Sequence, residues 1–167
     1  MNLDNLDSEY IELVKNILND DEFLKLKQVE HHGTNRFEHS LKVSYSAYKL
    51  AKKYNFDYEE VAVGGLLHDF FLKENYGAKE RIKSAFNHPV KAEENASFKF
   101  GINEKERDII RTHMFPLNIN DVPRYKESWL VSLCDKSTAF GELSYNYGFK
   151  LRKAGNLLVL FLFNFIR

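Results

Sequence analysis

The stretch Val61-Ala62-Val63-Gly64-Gly65-Leu66-Leu67-His68-Asp69 decides how this chain is read. It predicts a helix that ends in a His-Asp doublet. Asp57 stands where an N-cap would, and Glu60, three residues on, offers the second half of a capping box. Val61, Gly65 and His68 fall at i, i+4 and i+7, so they share one face. Glycine costs helix stability relative to alanine, and two in succession predict that another element packs very close. An imidazole and a carboxylate at the end of a buried helix can both reach one cation, because nitrogen and oxygen are good ligands for Zn, Fe, Mn or Ni. The doublet alone is weak evidence. A histidine at a helix C-terminus also suits the dipole there, with the aspartate in the loop beyond. The partners have to come from the rest of the sequence.

Upstream, Asp7 can cap a helix over Ser8 to Leu18, and Asp20-Asp21 opens a shorter piece from Glu22 to Val29. His31-His32-Gly33-Thr34-Asn35 reads as a loop, whose last two residues can cap a long helix from about Arg36 to Tyr54. His39 lies near the start of that helix, on a face with Val43 and Ser46. Downstream, Glu74 to Glu80 predicts a loop or a short helix at the rim of a site. Asn87-His88-Pro89 starts the next helix, with Pro89 in its first turn, His88 at its mouth and Gly101 as its stop. Asn103-Glu104-Lys105-Glu106 is a second capping box and opens a helix to His113. Tyr125 or Glu127 begins a last apolar helix that carries Asp135 toward Thr138 and Phe140. A buried carboxylate there requires a partner or a cation. Sustained two-residue alternation and Asn-Gly hairpins are missing, so the predicted fold class is all-α.

Composition narrows the function classes. The chain has 167 residues, with 24 basic and 24 acidic side chains that cancel, so no global field favours nucleic acid or membrane. Any affinity for phosphate must be local. The acidic N-terminus does not read as a signal peptide, and a single cysteine, Cys134, fits core packing in a reducing, cytoplasmic setting. The run Leu157 to Ile166 is half the length of a spanning helix; it reads as a core or homodimer-packing C-terminal helix, with an interfacial anchor as the alternative.

Five helix ends or inner faces thus contribute His39, His68, Asp69, His88, His113 and Asp135. Separately each has an ordinary structural reading. Together they are four imidazoles and two carboxylates with one common explanation. Six ligands exceed one tetrahedral zinc and suit two metals about 3.5–4 Å apart, with Asp69 as the natural bridge. This order of residues resembles the HD-domain metal-dependent phosphohydrolases, a helical superfamily, over about Arg36 to Phe140. The added His88 and His113 resemble its dinuclear branch, which includes HD-GYP cyclic-dinucleotide phosphodiesterases and HD-type symmetrical diadenosine-tetraphosphate hydrolases. By that resemblance, His39, His68, Asp69 and Asp135 would hold one metal, and Asp69, His88 and His113 the other. The HD-GYP members carry a lysine three residues after the doublet's aspartate. Here Leu72 takes that place, Lys73 follows it, and no Gly-Tyr-Pro occurs, which disfavours a cyclic dinucleotide.

The resemblance implies one HD-type bundle over residues 1–167, with a core of about 36–140 and a C-terminal helical extension from 141. It implies hydrolysis of a phosphoester or phosphoanhydride of a nucleotide or similar small molecule by a metal-activated water, with two divalent ions (Fe, Mn, Zn or Ni) as cofactors. Arg36, one turn before His39, is the first choice for a phosphate clamp, with Lys73 and Lys136 next. Asp69, Arg36 and Lys73 form the catalytic expectation. His32, beside His31, is a candidate proton donor to the leaving group. Glu38 or Ser46 are candidates to orient the metal-binding imidazoles. Two other functions use the same ligands: a non-catalytic metal-containing sensor or interaction domain, and a di-iron oxygenase.

Overall fold

In this computed structural model, residues 3–31, 34–72 and 78–146 are described. Asp7 caps α1 (Ser8–Leu18) by accepting from the Glu9 amide, and Asp20 caps the short α2 (Asp21–Leu24), which runs into a 3₁₀ turn at Lys25–Gln28. The loop expected before the first long helix is in part a two-residue antiparallel ladder, β1 (Glu30–His31) with β2 (Thr34–Asn35). Asn35 then caps α3 (Arg36–Lys53), its side chain accepting from the Glu38 amide at 2.8 Å. The remaining elements are α4 (Tyr58–Leu67), α5 (Ala78–Phe100), α6 (Glu104–Thr112) and α7 (Lys126–Asn146). The fold is all-α.

Two hydrophobic clusters flank the central pair α3 and α4. Tyr10, Val14, Phe23, Leu26, Leu41, Tyr48, Leu66, Leu67, Phe70, Ala96 and Ile110 form the larger. Val43, Ala47, Ala51, Val61, Ile109, Leu130, Val131 and Cys134 form the second. α3 and α4 therefore present apolar faces in two directions, and their polar inner residues are trapped between the clusters. The paired glycines do what their cost implied. A Cβ on Gly65 would stand 3.1 Å from the Ser44 Cα of α3, and one on Gly64 would stand 2.8 Å from Ile109 Cγ2 of α6. α4 is thus clasped between the backbone of α3 and the Ile109 side chain of α6, which carries its C-terminal histidine to the middle of the bundle.

Two helix starts differ from expectation. Asp57 precedes α4 but its side chain makes no capping bond; it pairs instead with Lys105, while Glu60 accepts from Asn103. Long-range partners on α6 have captured both halves of that capping box. α5 is already helical from Ala78, so Pro89 lies inside it and His88 is mid-helix rather than at a helix mouth. The run Ala78-Lys79-Glu80-Arg81 is rich in good helix formers, which carry the helix up to a proline that normally opens one. The C-terminal stop at Gly101 (φ +64°) and the Asn103–Glu106 capping box of α6 are as the sequence predicts. α7 runs unbroken through residues 140 and 141 to Asn146. The apolar run 157–166 lies outside the described residues. Among the described residues, no helix is long and apolar enough to cross a membrane.

Candidate metal centre

His68 and His113 are positioned by the same local device. Each sits at a helix C-cap, of α4 and α6 respectively, and each turns its Nδ1 back to the carbonyl three residues earlier: Gly65 at 2.8 Å and Ile110 at 2.7 Å. A carbonyl only accepts, so Nδ1 carries the proton in both rings and Nε2 is left with a bare lone pair. Both Nε2 atoms are aimed inward, toward carboxylates. His68 Nε2 lies 3.7 Å from Asp135 Oδ1, and His113 Nε2 lies 3.9 Å from Asp69 Oδ1. His68 Nε2 is fully buried and finds no hydrogen-bond partner.

The other four expected residues converge on the same place. His39 from the first turn of α3 brings Nε2 to 3.0 Å from Asp135 Oδ1 of α7. His88 of α5 brings Nε2 to 2.9 Å from His113 Nε2 and 3.3 Å from Asp69 Oδ1. Ligand atoms within 4.8 Å of one another group as His39–His68–Asp69, His68–His113–Asp135 and Asp69–His88–His113. The groups overlap through His68, Asp69 and His113, so the six residues form one continuous cluster. His88, mid-helix, also reaches the cluster, and its ring stacks on Phe71 at 5.2 Å between centroids.

The electrostatics of the cluster combine buried imidazoles with carboxylates, Arg36 lying beside Asp69. Burial pushes His68 downward. Burial, with His68 and His88 close by, pushes His113 down to about 3. Burial also opposes charge on His39, but the hydrogen bonds it donates to Asp135 and Glu142 raise it to about 9. Asp135 is held far below the ordinary carboxylate range: its burial is outweighed by the bond to His39 and by the neighbouring imidazoles. Lone pairs on two locked imidazoles, facing two carboxylates in a buried space, fit a divalent cation by both geometry and donor chemistry.

The family model of the HD domain matches residues 36–139, a span that begins at Arg36 and closes just beyond Asp135. The chain belongs to the HD domain family. No curated protein and no solved structure matches it. HD domains bind divalent metals, and the family places this chain in the metal-dependent phosphohydrolase superfamily.

Around the cluster of this HD domain, Arg36 is buried. Its Nη1 donates to the Phe71 carbonyl at 2.5 Å, its Cζ lies 3.8 Å above the Phe71 ring, and its Nε lies 3.5 Å from Asp69 Oδ2. Lys136 turns away from the cluster to the C-terminal end of α6, donating to the His113 carbonyl at 2.7 Å and to the carbonyl and hydroxyl of Ser132. Lys73 and His32 lie outside the described residues. The partner of His39 Nδ1 is Glu142, at 2.9 Å, and not Glu38 or Ser46. Glu38 accepts instead from the Thr34 hydroxyl at 3.0 Å, a bond within its own helix start. Glu142 was missed because it sits beyond the last recognised ligand. The available signal was its spacing, seven residues after Asp135 on the same helical face.

Proposed function

We propose that this HD domain is a hydrolase that cleaves a phosphoester or phosphoanhydride of a nucleotide or similar small molecule. The carrying observation is that His68 and His113 are both locked with Nε2 lone pairs turned into a buried cluster containing Asp69 and Asp135. His39, His68, Asp69 and Asp135 would hold one divalent ion, and Asp69, His88 and His113 a second. When bound, such ions acidify water and neutralise phosphoryl oxygens. Asp69 groups with His39 and His68 on one side and with His88 and His113 on the other, which suits it to the shared position. The chain's own contribution is mainly positioning. The Gly65 and Ile110 carbonyls fix two tautomers, so no proton has to be moved before those imidazoles bind.

Arg36 supplies fixed positive charge at the edge of the cluster. The Phe71 ring and carbonyl hold its guanidinium in one plane, so it loses little freedom on meeting a phosphoryl oxygen. Lys73 and His32 remain candidates for further contacts to the substrate. Lys136 supports the α6 end that carries His113 and is a later choice for phosphate. The test is metal analysis of the purified protein, with a panel of mononucleotides, dinucleoside polyphosphates and guanosine tetraphosphate assayed with Mn or Fe supplied. Turnover of one class with release of a phosphate or nucleotide is expected. Stoichiometric metal with no turnover of any member would favour the non-catalytic reading.

A further inference from the structure

We propose that Glu142 is a positioning residue of the metal centre, selecting the nitrogen that His39 offers to a cation. The inference rests on the reading of the His-Asp cluster as a metal site. His39 is fully buried and has a carboxylate on each ring nitrogen: Asp135 Oδ1 at 3.0 Å from Nε2 and Glu142 Oε2 at 2.9 Å from Nδ1. Both carboxylates belong to α7, two turns apart and about 10 Å along its axis, so the imidazole lies lengthwise against one helix. A neutral imidazole has one donor and one acceptor nitrogen and cannot satisfy two carboxylates by hydrogen bonds alone.

The two contacts are not equivalent. Asp135 faces His68 and the rest of the cluster, whereas Glu142 faces outward, where its second oxygen Oε1 accepts from Lys42 Nζ at 2.8 Å. Lys42 stands one turn after His39 on α3, so α3 provides both the ring and the cation that holds its acceptor. With Glu142 ionised and anchored at Nδ1–H, Nε2 is the nitrogen left for a metal, on the side of Asp69 and Asp135. His68 and His113 obtain the same tautomer from backbone carbonyls. His39 lies in the first turn of its helix and obtains it from α7.

The experiment is Mn²⁺ affinity, by chelator competition, in two full-length backgrounds. His113→Ala leaves the ion next to His39, and His39→Ala leaves the ion next to His88. Adding Glu142→Ala should weaken Mn²⁺ about 10- to 100-fold in the first background, the usual effect of losing a ligand's orienting partner, and change it less than twofold in the second. Glu142→Gln retains an acceptor and should show a smaller loss in the first background alone; it carries the test if the alanine variant does not fold. Equal losses in both backgrounds would mean a general structural role and overturn the inference. So would unchanged affinity in the first background. Absence of Mn²⁺ uptake by the unmodified chain would overturn the metal reading itself, which separates the two failures.

Discussion

Gly64→Ala tests the link between packing and the metal centre. The new methyl would stand 2.8 Å from Ile109 Cγ2, 3.0 Å from its Cβ and 3.1 Å from its Cδ1. Comfortable carbon contacts are about 3.5–4.0 Å. Rotating the Ile109 side chain can move Cγ2 and Cδ1 but not Cβ, so α6 itself must give way by some tenths of an ångström. Overpacking of this kind costs about 1–3 kcal/mol, while replacing a helical glycine by alanine returns up to about 1 kcal/mol. The steric term wins, and a net loss of about 1–2 kcal/mol is expected in urea denaturation of the metal-free protein. The displaced helix ends in His113, whose ring centroid lies 4.9 Å from that of His68, so binding of a metal at His113 should weaken as well. Adding Ile109→Ala removes Cγ2 and Cδ1 and leaves only the Cβ contact at 3.0 Å. The double variant should then be more stable than the sum of the two single changes by at least about 1 kcal/mol, as expected for directly touching sites. A Gly64→Ala protein as stable as the parent, or strict additivity in the cycle, would refute the packing argument.

Further outcomes follow from the cluster. Asp69→Ala should abolish binding of both metals and all turnover, read by metal analysis and the substrate panel; retained activity would contradict the shared position of this carboxylate. His113→Ala should release one metal and spare the other, and an unchanged metal count would argue for a single ion. Arg36→Ala should lower kcat/KM by about 10²–10³, as removal of one preorganised charge-stabilising group does, with metal content retained. Because His39 is raised to about 9, it is charged at pH 7 in the metal-free protein, and a cation must displace its Nε2 proton. Mn²⁺ affinity should therefore climb about tenfold per pH unit from 6.5 toward 9 and level off above. A flat profile in calorimetric titrations would show that this proton is not displaced.

The elements were legible where local chemistry rules. Asp7, Asp20, Asn35 and the Asn103–Glu106 box cap the helices their positions predict. The six cluster residues were legible because His and Asp at helix ends or inward faces have few apolar alternatives. What failed was non-local. Asp57 and Glu60 formed no box because Lys105 and Asn103, more than forty residues away, took their side chains. The Pro89 rule failed because the helix preceding it was strong enough to absorb a proline. Glu142 could not be identified from its neighbours, since its role is defined by His39, 103 residues earlier.

The ends of α4 and α6 have a consequence for the order of events. Both helices finish at the cluster, with His68 and His113 as their C-caps, and helix C-termini carry partial negative charge of about half an electron. Unlike Asp69 and Asp135, peptide dipoles do not titrate. They keep this part of the molecule attractive to cations at any pH at which the helices survive. The same field repels a bare phosphate. On the proposed reading, metal loading would precede the binding of an anionic substrate.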